Sequence, residues 1–221
     1  MKKIIKQTIK KIGILGSLIV LGIIGVNIAN AASTPTFNQT INPGTKSVDI
    51  VNESYVTVGS PAVSMGAVTF SFAAQTATGT LGTASEKIYV QNPDGADTGW
   101  SITIAPTAGI GASWTGAGAS FDFNDPAGSG ETYGQMTIDA IGVGVGATGV
   151  CSNCTMTGIT LGASTAFNHG VTDSVTLLTG AEGSDDIGDW TLTGVSISQK
   201  IPKEKPAISY SLPMTITIAA I

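Results

Sequence analysis

The chain predicts an all-β fold, a single β-sandwich domain behind an N-terminal signal peptide, on three observations. Apolar and polar residues alternate at period 2 in segment after segment, the pattern of a strand with one buried face. No stretch beyond the first 31 residues holds a 3.6-residue apolar period, and helix formers are scarce beside Gly, Thr, Ser, Val and Ile. Clusters of Asn, Asp, Pro and Gly punctuate the alternating runs.

Residues 1–31 set the compartment. Lys2, Lys3, Lys6, Lys10 and Lys11 form a basic start, and Ile12 to Ile28 is apolar except for Ser17 and Asn27. Ala29-Asn30-Ala31 then supplies the small residues of a cleavage site, so the segment reads as a secretory signal peptide cut after Ala31. The alternative is a retained N-terminal anchor, since the apolar run approaches the length of a membrane span. Secretion follows, with membrane contact only through the signal segment before cleavage. Export leaves Lys46, Lys87, Lys200, Lys203 and Lys205 against fifteen acids, and the chain has no arginine, so the exported chain carries a net charge of −10. Such a surface repels nucleic acid and anionic headgroups. It is compatible with neutral glycan, divalent cations or a basic partner.

Residues 32–47 read as a flexible leader and 48–221 as the sandwich. In chain order, Val68, Phe70 and Phe72 alternate with Thr69 and Ser71; Ile88 and Val90 with Lys87, Tyr89 and Gln91. After the turn Asn92-Pro93-Asp94-Gly95, Trp100, Ile102 and Ile104 share one parity. Met136 and Ile138 alternate after the turn Asp125-Pro126-Ala127-Gly128. Residues 140–150, AIGVGVGATGV, read as a glycine-rich strand or loop. Trp190 and Leu192 follow the turn Gly183-Ser184-Asp185-Asp186. The apolar parity then shifts to Val195 and Ile197, which predicts a bulge at Gly194. Ile208, Tyr210, Leu212, Met214, Ile216 and Ile218 form the longest run. Pro213 interrupts its opposite face and predicts an edge strand or a local break.

Candidate chemistry is sparse, and the protein is not expected to be an enzyme. Asp97-Thr98-Gly99 matches an aspartic-protease triplet, but that chemistry needs two carboxylates sharing a proton; preceded by Pro93-Asp94-Gly95-Ala96, it reads as a turn. His169 with Asp173 lacks a Gly-x-Ser-x-Gly elbow and reads as a loop histidine. Cys151 and Cys154, in an exported chain with one histidine, read as a local disulfide and not a zinc site. No cofactor is expected. Asp185, Asp186 and Asp189, and the pair Asp122 and Asp125, are the candidates for oxygen ligands to calcium, although the ordered EF-hand spacing is missing.

The stretch IYVQNPDGADTGWSITIAP, Ile88 to Pro106, resembles the first motif of the WxL domain of Gram-positive cell-surface proteins, with Gly99-Trp100-Ser101-Ile102 at the Gly-Trp-x-Leu position. YSLPMTITI, Tyr210 to Ile218, is similar to the family's C-terminal motif, with Ile216 where a tryptophan is usual, and AVTFSF, 67–72, resembles its early strand. Trp190-Thr191-Leu192 is a literal W-x-L outside either motif. The resemblance implies a β-sandwich held noncovalently on peptidoglycan or another wall glycan, with companion surface proteins and no catalysis. The binding candidates are Trp100, Ile102, Trp190, Leu192, Tyr210 and Ile216. Trp100 leads an unbroken apolar face and is expected in the core. Trp190, whose face breaks at Gly194, is expected near the sheet end, where a ligand would reach its ring. The alternative function is a structural subunit of an extracellular fibre or surface layer, for which the leader Ser33–Ser47 and an edge strand would suit donor-strand assembly.

Overall fold

The structure, a computed structural model, describes residues 35–126, 133–142, 144, 146–183 and 186–221. The signal segment therefore lies outside the described residues. Residues 35–41 are exposed and without regular structure, and a separate compact unit runs Asn42–Ile221.

Among the described residues the fold is all-β, with fifteen strands and no helix. One sheet has the order β1 (Ser47–Val51), β3 (Lys87–Asn92), β13 (Gly188–Thr193), β9 (Gly146–Gly149). A second runs β11 (Thr165–Ala166), β8 (Gly134–Asp139), β14 (Val195–Ile201), β2 (Gln75–Leu81), with β7 (Asn124–Asp125) also on β8. A third runs β10 (Ile159–Leu161), β12 (Val175–Gly180), β4 (Trp100–Pro106), β15 (Met214–Ala219). β5 (Trp114–Gly116) and β6 (Ala119–Phe121) make a small hairpin. All pairings are antiparallel.

The period-2 pattern sorts the side chains as expected in the central strands. In β4, Trp100, Ile102 and Ile104 are buried and the residues between them are half-buried. In β3, Ile88, Val90 and Asn92 turn inward; in β8, Met136 and Ile138 do so. The apolar ones among these side chains join Leu177, Leu178, Trp190, Leu192, Val195 and Ile197 in one core cluster.

Three expectations change. Residues 61–74, including Val68, Phe70 and Phe72, form no strand, and the three side chains are 41%, 48% and 77% exposed. Alternation makes a segment able to pair, but a strand also needs a neighbouring edge. This segment is held by isolated bonds, Gly66 N–H to Thr78 O (2.7 Å) and Glu204 N–H to Ser71 O (2.8 Å). Gly194 is not a bulge within one sheet. It is the corner at which the chain leaves β13 in the first sheet and enters β14 in the second. Gly82 makes the matching turn from β2 toward β3, and Gly194 N–H donates to Gly82 O at 2.7 Å. Both glycines have left-handed backbones, φ +78° and +80°. Lastly, the long C-terminal run is a regular strand only from Met214 onward; Tyr210 and Leu212 lie before it, and Ser211 bridges Thr115. Pro213 marks the break, and β15 is an edge strand.

The corner is sterically tight at Gly82. A Cβ there would lie 2.8 Å from Leu192 O and 2.9 Å from Thr193 Cα, both backbone atoms that cannot rotate away. Gly95, with φ +63°, has nothing within 4 Å of its virtual Cβ. Gly95→Ala should cost ~1 kcal/mol from its left-handed backbone alone, and Gly82→Ala at least ~2 kcal/mol more from the clash. Chemical denaturation of the two variants checks this; equal costs would refute the corner.

Candidate functional site

The two tryptophans meet in the core. Trp100 on β4 and Trp190 on β13 are both fully buried, with ring centroids 5.3 Å apart and planes tilted by 42°. A buried indole N–H needs an acceptor. Trp100 Nε1 donates to Asp186 O (2.9 Å), and Trp190 Nε1 donates to Thr155 O (2.9 Å). Ile102 and Leu192 are fully buried beside them. Four of the six binding candidates are therefore core. For Trp190 this overturns the expected exposed edge: the acidic turn before it folds inward and the loop after Cys154 closes over its indole nitrogen. Tyr210 and Ile216 remain half-buried. Tyr210 packs edge-on against Phe121 at 5.1 Å, and its hydroxyl donates to Pro206 O at 3.2 Å.

The turn that precedes Trp100 is fastened to the turn that precedes Trp190. Asp186 is fully buried. Its Oδ2 accepts from Gly99 N–H (3.1 Å) and from Asn92 Nδ2 (3.3 Å), and its backbone oxygen accepts from Asn92 Nδ2 (2.7 Å). Its Oδ1 is buried without a donor, and the neighbouring carboxyl is that of Asp97. Asp97, held at φ +51°, accepts from Gly183 N–H at 2.9 Å. Two carboxyls in contact cannot both ionise cheaply, so a proton on Asp186 satisfies the orphan oxygen. Burial, and then the Asp97 carboxyl, raise the Asp186 pKa above its usual value, and the Gly99 N–H opposes the shift. Gly99 itself must be glycine. Its φ is +67°, and a Cβ would lie 2.9 Å from Glu182 N and 3.0 Å from Gly180 O. The Asp-Thr-Gly triplet thus sits in a latch between two turns. Its acid pair is partly sealed, and neither cleft described below is lined by it.

Lys46 closes the same end of the domain. Its ammonium pairs with Asp94 Oδ2 and donates to Thr98 Oγ1 at 3.0 Å. Gly44 N–H donates to Pro93 O at 3.0 Å, so the chain entry is pinned to the 92–94 turn.

Among the described residues, the calcium candidates Asp186, Asp189, Asp122 and Asp125 each have other roles. The polar groups on Asp186 Oδ2 are N–H donors, which suit a carboxyl and not a cation. Asp189 accepts the Tyr89 hydroxyl at 2.9 Å; burial and then Asp189 push the Tyr89 pKa up to about 12. Asp185 lies outside the described residues. Asp122 lies between β6 and β7, and burial followed by Asp125 raises its pKa. Among the described residues no group of three or more His, Cys, Asp or Glu is placed to hold a metal ion. Cys151 and Cys154 form the expected disulfide, and Asp189 N–H donates to Cys154 Sγ at 3.1 Å. The bridge fixes the loop whose Thr155 carbonyl receives Trp190. His169 is an exposed loop residue.

Two surface features were not legible in the motifs. The outer face of the β10-β12-β4-β15 sheet is a field of hydroxyls without charge. Thr179 lies opposite both Thr160 and Ser101, and Thr103 lies opposite both Thr176 and Thr217. Thr103 and Thr217 share a hydrogen bond of 3.0 Å, and Thr107 and Thr215 one of 2.7 Å. The second feature is a cleft of about 670 Å³ running beneath β15, lined by Ile50, Leu81, Ile104, Ile138, Met214 and Ile216. A cleft of about 630 Å³ continues it along the 63–71 segment; Val63, Met65, Trp114 and Tyr210 line both.

Comparison with protein-family models, with curated proteins and with solved structures finds no match.

Because both rings are core, Trp190→Ala should destabilise the fold as strongly as Trp100→Ala, each by ~3–5 kcal/mol. Thermal melts of the pair decide it, and a Trp190→Ala variant with a native melt would contradict the burial. The acid latch has a pH signature. A carboxyl with a raised folded pKa contributes stability in full below the ordinary value of 3.8 and loses it as pH climbs through the raised value. Asp186→Asn keeps a donor facing Asp97 and cannot ionise. It should match wild type at pH ~3 and melt higher than wild type at neutral pH. Parallel melting curves at all pH values would refute the raised Asp186 pKa.

Proposed function

We propose that the protein is an exported, non-catalytic cell-surface protein that attaches noncovalently to a neutral wall glycan. One observation carries the reading. The two segments that resemble WxL motifs, 115 positions apart at Trp100 and Thr215, pair directly as β4 and β15, with Ile102 opposite Ile218 and Ile104 opposite Ile216. Their inward face is apolar. Their outward face is the uncharged hydroxyl ladder of Ser101, Thr103, Thr215 and Thr217, which β12 extends with Thr176 and Thr179. Serine and threonine hydroxyls donate and accept, so a row of them can exchange hydrogen bonds with sugar hydroxyls without a charge cost. The methyl groups between them suit the apolar faces of pyranose rings. An excess of ten negative charges elsewhere keeps the molecule from anionic polymers.

The signal-like N-terminus supports export, and the tryptophans act here as the core on which the binding face is mounted. Introducing charge on the ladder tests the reading. Thr103→Glu with Thr217→Glu should leave the melting temperature within a few degrees, because both side chains point away from the core. It should lower the wall-bound fraction at least ~10-fold in a pull-down on isolated cell walls, a loss of ~1.4 kcal/mol or more. A double variant that sediments with walls like wild type would overturn the assignment, as would a wild-type chain that stays in the supernatant at every salt concentration.

A further inference from the structure

The disulfide Cys151–Cys154 lies just beyond β9 and takes no part in the hydroxyl face, which belongs to another sheet. Its two sulfurs sit in different surroundings. Cys151 is exposed, as are Ser152 and Asn153, and residues 140–172 include no Asp, Glu or Lys, so the loop itself does not repel an incoming thiolate. Cys154 is half-buried and packs against the core cluster. Its Sγ accepts Asp189 N–H at 3.1 Å, a donor that stabilises negative charge on that sulfur.

Two glycines seat the pair. A Cβ at Gly149 would lie 2.8 Å from Cys154 Cβ, and one at Gly188 would collide with Cys154 Sγ and lie 3.2 Å from Cys151 Sγ. Cys154 N–H donates to Cys151 O at 3.1 Å, which closes the turn without help from the sulfurs. A bridge across so short a loop constrains the unfolded chain far less than a long one, so its contribution is local. It fixes the depth of Thr155, the next residue, whose carbonyl accepts Trp190 Nε1 at 2.9 Å. Asp189, which donates to Cys154 Sγ, precedes Trp190 on β13, so sulfur and indole are held by adjacent residues of one strand.

We propose that Cys151–Cys154 is a thiol–disulfide exchange site for a dithiol, and that its redox state controls the hold of the 151–155 loop on Trp190. A thiolate of the dithiol attacks the exposed Cys151 Sγ. The bond between the two cysteine sulfurs breaks, and its electron pair leaves on Cys154 Sγ, the sulfur that carries the Asp189 N–H. This gives a mixed disulfide on Cys151. The second thiolate of the dithiol then attacks the dithiol's own sulfur in that bond and releases Cys151 as a thiolate. The dithiol ends as a disulfide, the protein gains two electrons, and the two dithiol protons end on the two cysteines. A monothiol completes this sequence poorly, because Cys154, seated beside Cys151, attacks Cys151 Sγ again and expels it.

The test follows reduction of the folded wild-type chain by dithiothreitol, by glutathione at equal thiol concentration and by reduced thioredoxin, with thiols counted after acid quench and alkylation. Dithiothreitol should open the bridge at least ~10-fold faster than glutathione. Adding ~1 M urea should leave that rate unchanged, whereas reduction that had to wait for the unfolded chain would speed up ~10-fold. Thioredoxin acting at least ~10-fold faster than dithiothreitol assigns a protein dithiol, and equal or slower action assigns a small one; either supports the site. In Cys154→Ser, Cys151 should react with a chromogenic aromatic disulfide at least ~10-fold faster than Cys154 does in Cys151→Ser. The reduced wild-type chain should keep its strands by circular dichroism, yet melt several degrees lower and with altered tryptophan fluorescence, since Trp190 loses its fixed acceptor. The proposal is overturned if reduction accelerates with urea as unfolding does, or if glutathione matches dithiothreitol. It is also overturned if Cys154 reacts as fast as Cys151, or if the reduced and oxidised chains melt and fluoresce alike. The urea comparison needs no variant and stands even where a single-cysteine chain fails to fold.

Discussion

The rest of the structure depends on burying two indole rings that come from different sheets. Trp100 and Trp190 each bring a large apolar surface and one N–H that water can no longer satisfy. An unmade bond at either nitrogen would cost ~1–3 kcal/mol. Both acceptors are loop carbonyls, Asp186 O and Thr155 O, so two surface loops must be held at fixed depth. The disulfide Cys151–Cys154 holds one, and the Asn92–Asp186–Asp97 contacts hold the other. The glycine before Trp100 follows from the same demand: only a residue without Cβ brings the 97–99 turn close enough to Glu182 and Gly180 for Asp186 to reach it. The Gly-Trp dipeptide that gives the first motif its look is thus a consequence of packing.

That constraint also explains why a carboxyl is buried in a domain with so few cations. Asp186 contributes its backbone oxygen to Trp100, and its side chain is drawn in with it. The two groups that hold Oδ2 are neutral N–H donors, and neither is a lysine. An isolated buried carboxylate would be far more costly than a protonated one. A proton held on Asp186 is the economical solution, in line with its raised pKa, and it makes the latch strongest in acid. Lys46, which closes this end of the fold, is engaged with Asp94 and Thr98.

The alternation of residues 87–91, 100–104 and 136–138 was legible because each segment finds a partner on both sides, so its inward parity becomes core. The same alternation at 68–72 misled because nothing in a local pattern reports whether a neighbouring edge exists. Trp190 misled for a related reason. Its acidic, glycine-rich approach looks like a solvated turn, yet Asp186 is drawn inward by Trp100, some 86 positions away in the chain. Gly194 signalled a disturbance of parity correctly. Whether that disturbance is a bulge or a change of sheet is decided by Gly82, its hydrogen-bonded counterpart across the corner. The hydroxyl face was present in the sequence as threonines of one parity, but it is a surface only once β10, β12, β4 and β15 are laid side by side.

β15 shows the constraint working in reverse. Edge strands of globular sheets commonly carry a lysine, an internal proline or a bulge that blocks further pairing. β2, at the edge of its own sheet, has Gly79 in its interior, where a Cβ would meet Met65 Sδ at 2.7 Å and Ser64 O at 3.1 Å, so the 61–66 segment lies over it. β1 is covered in part by Thr57 and Val58, through the Val51–Thr57 bridge and the bond from Val58 N–H to Ile50 O. β15 carries neither charge nor internal proline, and the strand beside it is β1, which approaches it without a ladder pairing. Val48 and Ile50 of β1 line the same cleft as Met214 and Ile216, so the half-buried apolar face of this edge strand is shielded by a strand of another sheet and not by a ladder partner.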